Sequence, residues 1–311
     1  MQEGLVEAGI QAGTGDVIAN ELIARFEVGD LRCVALRDGY VDTPIFILAP
    51  EVPPAELRAF LTARGHEGDA LRTPMTCLLV ERSDGSRMLI DSGLGKVRRP
   101  GGPPTDHVGK LLECLDAAGV EPASIGDVLV SHIHPDHIGG LFNGEGQPIF
   151  PDATIHVPRA EVEFWGQEQP DLSGTLMPPP AQGGVIAVAK RFLALAGDLA
   201  VLFDAGQEVI EGVQALALPG HTPGQVGFLI DGGSQSMFFS ADAAGHHQVS
   251  IERPEWRFAN DSDSPLAIRT RKDMLALLAE KGWTTYTPHF PWPGMGHFTH
   301  TADGIRWQAM R

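Results

Sequence analysis

Cysteine, tyrosine and positive charge are all scarce in this 311-residue sequence. The three cysteines, Cys33, Cys77 and Cys114, are far apart and set in largely apolar surroundings. An odd, scattered set with no C-x-x-C pair excludes a disulfide framework and leaves packing as their role. Lys and Arg number 23 against 40 Asp and Glu, for a formal net charge of −17. Nucleic acid would be repelled over most of such a surface, and two bound dications would offset only about four of those charges. Also absent is any run of the roughly 18 apolar residues that a membrane span needs. Residues 1–15 lack a basic stretch followed by an apolar one, so no secretory signal is visible and a cytoplasmic protein is expected. No repeat of about 20 to 50 residues occurs.

What is present suits a globular enzyme. With 43% apolar and 20% charged residues the chain can bury a substantial core, and its length is within reach of one large domain covering residues 1–311. Residues 1–25 read as a loose extension ending in a short helix. That helix would be capped by Asp16 and run through Arg25, with Val17, Ile18, Leu22 and Ile23 on its apolar side. Residues 31–36 read as a strand, with Asp38-Gly39 a turn before Tyr40-Val41. A helix over 56–63 is stopped at Gly65. Residues 76–81 and 87–90 flank Ser83-Asp84-Gly85-Ser86, a strong hairpin signal. A Pro/Gly-rich surface loop at 99–105 precedes a helix over 107–118. Residues 159–199, broken by Pro178-Pro179-Pro180, read as a possible cap over a site. Hairpins early and strand–helix alternation later predict mixed sheets covered by helices, an α+β arrangement.

The chemistry concentrates in Ser131-His132-Ile133-His134-Pro135-Asp136-His137-Ile138-Gly139-Gly140, directly behind the apolar run Val128-Leu129-Val130. If that run is a strand, His132 and His134 project to the same side. Asp136 and His137 follow where Pro135 suits the first turn of a helix. The second half repeats the theme. His221 follows the strand 213–218 in a Pro-Gly-His-Thr-Pro-Gly run, Asp242 follows the strand 237–239, and His289 follows the β-prone run 283–287. Residues far apart in sequence can thus converge on one edge of the sheets. Five imidazoles and two carboxylates suit two divalent ions better than one, since zinc is satisfied by about four or five donors.

This ensemble, with Asp91 behind the hairpin, resembles the metallo-β-lactamase fold superfamily, and within it methyl parathion hydrolase and related lactonases. The likeness extends through Ala35-Leu36-Arg37-Asp38-Gly39, Glu163-Phe164-Trp165 and Phe290-Pro291-Trp292-Pro293-Gly294, so it spans roughly residues 26 to 300. It implies an αββα sandwich of two mixed β-sheets flanked by helices, with metals at one edge. His132, His134 and His221 would hold the first ion and Asp136, His137 and His289 the second. Asp242 would bridge them, and Asp91 would orient a histidine ligand. Zinc is the expected metal, although His/Asp sites also accept manganese, cobalt or iron.

Such a pair lowers the pKa of a shared water, giving a metal-bridging hydroxide that attacks a lactone, such as an acyl-homoserine lactone, an aryl ester or a phosphotriester. Asp136 is a further candidate, as a proton shuttle. Trp165 matches a pocket aromatic of the resembled group, and Trp256, Phe290 and Trp292 are candidates for the same apolar wall, suited to a small neutral hydrophobic substrate. Gln225 stands where relatives commonly have another histidine. Neither Tyr40 nor Tyr286 matches the tyrosine that assists the carbonyl in some lactonases. The family likeness also suggests a homodimer. Competing readings are a glutathione thioester hydrolase and a mononuclear-iron sulfur dioxygenase. A β-lactamase is disfavoured, because position 242 is Asp rather than Cys.

Overall fold

The computed structural model describes residues 17–96 and 107–310. Eight strands form the first sheet in chain order: β1 (Ile18–Ala19), β2 (Ile23–Val28), β3 (Leu31–Pro44), β4 (Ala70–Glu81), β5 (Arg87–Ile90), β6 (Asp127–Leu129), β7 (Thr154–Pro158) and β8 (Ala200–Phe203). Pairing is antiparallel up to β5 and parallel from β5 to β8. The second sheet holds β9 (Glu208–Ile210), β10 (Val213–Ala217), β11 (Val226–Asp231), β12 (Ser236–Phe239), β13 (Thr284–Tyr286), β14 (Met295–Thr301) and β15 (Gly304–Ala309). Only its β12–β13 pair is parallel.

The helices are α1 (Pro54–Thr62), α2 (Leu111–Ala118), α3 (Pro135–Ile138), α4 (Arg159–Gly166), α5 (Pro179–Ala196), α6 (Val249–Glu252) and α7 (Ser264–Lys281). None is long and apolar enough to cross a membrane.

Apolar alternation explains why the sheets stack. In β4, Leu78 and Val80 face the second sheet, where they pack with Phe228 and Phe239. Cys77 and Leu79 face the other way, into a cluster with Leu115 of α2 and Phe192 of α5. In β12, Met237 and Phe239 join the core between the sheets, while Phe238 packs with Met274 and Leu278 of α7. Strands buried on both faces read as continuous apolar runs, and two such sheets covered by helices give the αββα sandwich. Among the described residues all three cysteines are buried and unpaired.

Two expectations change. Ile18–Ala19 and Ile23–Val28 are strands joined by a bend, not a loose extension with a helix; Asp16 lies outside the described residues, as does the 99–105 loop. The spacing of Leu22 and Ile23 with their neighbours mimics a helical face. Its origin is a strand with two buried sides, Ile23 facing the α2–α5 side and Ala24 the space between the sheets. Nor is Asp38-Gly39 a turn: β3 continues to Pro44, and its ladder to β4 shifts register between Arg37 and Gly39. A bulge re-aims a side chain. Asp38, fully buried, accepts hydrogen bonds from the backbone N–H groups of Leu94 (2.9 Å), Gly109 (3.1 Å) and Leu111 (3.0 Å). Burial pushes its pKa up, partly countered by these donors.

Asp38 thereby ties the chain after β5 to the start of α2. Asp38→Ala leaves three backbone donors unpaired and should cost about 3 kcal/mol or more, seen as a lower urea midpoint with an unchanged slope.

Candidate metal centre

Five strands bring the donors to one edge. β5 and β6 are parallel to each other, as are β12 and β13, and β10 shares their sheet's direction through antiparallel β11. Asp91 follows β5, residues 131–137 follow β6, and His221, Asp242 and His289 follow β10, β12 and β13. Two residues here, Asp91 (φ 59°) and Ala241 (φ 45°), hold left-handed backbone conformations that side-chain-bearing residues seldom adopt. At Gly220 (φ 126°) a Cβ atom would lie 2.2 Å from the backbone nitrogen of Ala267, so only glycine lets the His221 loop pack on α7.

The seven sequence-predicted donors fall into two sets whose ligand atoms lie within 4.8 Å of one another: His132, His134 and His221, then Asp136, His137, Asp242 and His289. In the first set Nδ1 of His134 is 3.1 Å from Nε2 of His132 and 2.9 Å from Nε2 of His221. In the second, Oδ2 of Asp136 is 3.5 Å from Nε2 of His289 and 3.7 Å from Nε2 of His137. Asp242 joins the two. Its Oδ1 lies 3.3 Å from His137 and 3.1 Å from His289, and its Oδ2 lies 3.4 Å from His221 and 4.0 Å from His132, all measured to Nε2.

These groups fit a metal pair on their own chemistry. Asp242 Oδ1 and His137 Nε2 are buried and complete no hydrogen bond, which buried polar atoms rarely tolerate. Burial and the neighbouring imidazoles hold His132 and His134 well below the usual histidine pKa, so both offer lone pairs. Burial also depresses His137 and His289, but nearby carboxylates, Asp242 foremost, outweigh it; His137 is held well above its usual value and His289 at about 9. Burial would raise Asp242, yet His289 and His137 hold it well below the carboxylate range. Anionic oxygens in this set draw positive charge towards them, as a dication site requires.

Outer partners fix four of the five rings, those of His137, His132, His221 and His289. Asp91 Oδ2 lies 2.7 Å from Nδ1 of His137, which can only donate there, leaving Nε2 towards Asp242. The same carboxylate accepts from the backbone N–H (2.8 Å) and hydroxyl (2.7 Å) of Ser131, whose oxygen lies 3.1 Å from Nδ1 of His132. Asp261 Oδ1 faces Nδ1 of His221 at 3.2 Å, while its Oδ2 accepts from the N–H of Phe258 and from Arg271. The Pro74 carbonyl accepts from Nδ1 of His289 at 2.9 Å.

Gln225 is buried and links the two loops, donating to the Leu218 carbonyl (3.1 Å) and accepting from the Asp242 N–H (3.3 Å). The sequence reading missed Ser131, Glu161 and Asp261 as supports. Fully buried Glu161 accepts from Gly224 N–H (2.7 Å), Ile133 N–H (2.8 Å) and the Trp165 indole (2.9 Å). An acidic residue at i−4 from Trp165 was its only local signal.

The four aromatic candidates fall elsewhere. Trp165 is fully buried, backing His134 with ring centroids 5.9 Å apart. Phe290 is also fully buried, packed on Phe298 and Trp307. Trp256 packs edge-on to Phe60, and Trp292 donates to the Asn20 carbonyl beneath Arg37. The wall facing the donors instead carries Ile47, Leu48, Met75 and Phe258 around a cavity of about 170 Å³. An adjoining chamber of about 190 Å³ is lined by Val41, Leu94, Met177 and Val185. Residues 159–199 thus contribute Val185 and Met177 to this chamber, while most of α4 and α5 packs on the first sheet. His246 and His247 group with His66, and His297 and His300 lie on β14, outside both donor sets.

With this fold and site, the chain belongs to the metallo-beta-lactamase superfamily: its family model matches residues 72–289, a span that takes in every donor and Asp91. Among curated proteins it is similar to an N-acyl homoserine lactonase of Bacillus sp, 29% identical over 177 residues, 53% of this chain and 61% of that protein. That match spans less than two thirds of the relative's length. It is 26% identical over 222 residues to the N-acyl homoserine lactonase of Bacillus cereus, 66% of this chain and 76% of that protein. Among solved structures it is similar to AidC, a dizinc quorum-quenching lactonase in complex with a product, with a TM-score of 0.86 and 27% identity, covering 93% of this chain and 98% of that one.

Because Asp91 fixes the His137 ring, Asp91→Asn should lower affinity for the second ion by roughly 10- to 100-fold. Competition with a chelator on folded protein measures this, and first-ion affinity should change far less.

Proposed function

We propose that this protein is a dinuclear zinc hydrolase of lactones, with N-acyl homoserine lactones as its substrate class. The observation that carries this is one buried carboxylate, Asp242, whose two oxygens face two separate sets of imidazoles. The lactonases among its relatives support the choice of substrate. In this reading His132, His134 and His221 hold one ion, and Asp136, His137 and His289 the other, with Asp242 shared. Two bound divalent ions supply an acidified water and an electrophile for the carbonyl oxygen.

The chain's own residues do the rest. Asp91, Ser131, Asp261 and the Pro74 carbonyl hold the imidazoles at fixed angles, so little reorganisation accompanies the reaction. The side chain of Asp136 is 22% exposed, more open than the 8% of Asp242. In this reading its free oxygen would also shuttle a proton towards the leaving alkoxide. Ile47, Leu48, Met75 and Phe258 make the wall apolar, which excludes bulk water and favours neutral substrates. Aryl esters and phosphotriesters present a comparable electrophile and are secondary candidates. A one-iron sulfur dioxygenase would leave Asp136, His137 and His289 without a role, so the filled second set favours hydrolysis.

Purified protein should carry two metal equivalents per chain, and chelation should abolish lactone ring opening and lower Tm. His134→Ala should reduce ring opening to near background, measured by acid release. An active metal-free enzyme would sink the proposal.

A further inference from the structure

We infer that the side-chain amide of Asn260 binds the substrate's amide, and so selects lactones that carry an acylamino group over plain lactones. This rests on the lactonase reading above and names a residue for its selectivity. Asn260 lies at the junction of the two chambers, lining both the donor-facing cavity and the apolar chamber beside it. Apart from the donors His134 and Asp136, no other polar side chain among the described residues lines both. The Thr73 hydroxyl donates to that of Thr43 at 2.8 Å, and His134, Asp136, His221, Asp242 and His289 belong to the donor sets. The Asn260 side chain makes no hydrogen bond among the described residues, though it is partly buried. Neither tyrosine competes for the role. The Tyr286 hydroxyl donates to the Cys77 carbonyl, and Tyr40 stacks on His107.

The chemistry of an asparagine suits this position. A carboxamide offers both a donor and an acceptor, as a secondary amide does. A plain lactone has no group at the acylamino position, so its ring can face the donors without engaging Asn260. The segment holding Asn260 is fixed before any substrate arrives. Ala259 donates to the Ile47 carbonyl (2.8 Å) and accepts from Leu176 N–H (2.7 Å), and Ser262 N–H donates to the His221 carbonyl (3.0 Å). Asp261 is held by Arg271 and Phe258. Binding therefore orders little backbone. A lactone ring facing the donors would set its acylamino group beside Asn260 and its chain against Val41, Leu94, Met177 and Val185.

The test compares N-hexanoyl homoserine lactone with γ-decalactone, which lacks the amide, on zinc-loaded wild type, Asn260→Ala and Asn260→Asp. For the acyl-homoserine lactone, KM should rise roughly 5- to 30-fold in Asn260→Ala, the span that losing one or two modest hydrogen bonds gives. Asn260→Asp keeps the acceptor but not the donor, and should fall between Asn260→Ala and wild type. Turnover of γ-decalactone should stay within about 2-fold in both variants, with two zinc ions retained. An equal loss on both lactones overturns the inference, because it marks a structural role, as does an unchanged KM for the amide-bearing substrate. Zinc-loaded wild type that opens neither lactone overturns the lactonase reading itself, and this inference with it.

Discussion

A carboxylate cannot be buried alone, and Asp242 is nearly enclosed. Removing an anion from water costs several kcal/mol unless positive charge meets it. Here the compensation is geometrically specified: one oxygen faces His137 and His289, the other His221 and His132. These residues come from strands of two different sheets, so the sandwich must close before the carboxylate is compensated. Site assembly and sheet packing are then one event, and the buried polar centre opposes slipped arrangements of the sheets.

Much of the centre was legible because each donor is a polar residue placed directly after an apolar strand. His132, His134, His221, Asp242 and His289 all have that signature, and the structure brings the five together with Asp136 and His137. Asp91 stood where the hairpin strand runs out, and its role beside a histidine ligand came from the family resemblance. Hairpins early and strand–helix alternation later pointed to mixed sheets covered by helices, and the αββα order of the layers came from the family resemblance.

The supports were harder to see because their signal is three-dimensional. Asp261 lies in the polar stretch Asn260-Asp261-Ser262-Asp263, which has the composition of any surface turn. Only α7, through Arg271, brings it under His221. Glu161 lies on a helix where an exposed acid would be ordinary, and only its contacts with Gly224 and Ile133 reveal its role. Asp38 beside a glycine has the composition of a turn, and the bulge that turns it inward depends on the pairing with β4. Large aromatics misled for a related reason. Trp165 and Phe290 are worth most as packing volume, so neither a family match nor a place beside a ligand puts them in an open wall.

The common direction of β5, β6, β10, β12 and β13 also defines the far side of the molecule. The turns that begin those strands, at Ser83 to Ser86 before β5 and Gly232 to Gln235 before β12, lie at the opposite end from the donors. Exposed Asp84 and Gly85 occupy the tip of the first of these. Chemistry and tethering are therefore separable on this scaffold. A linker joined at that tip would hold the protein to a solid support with its reactive edge facing the solution.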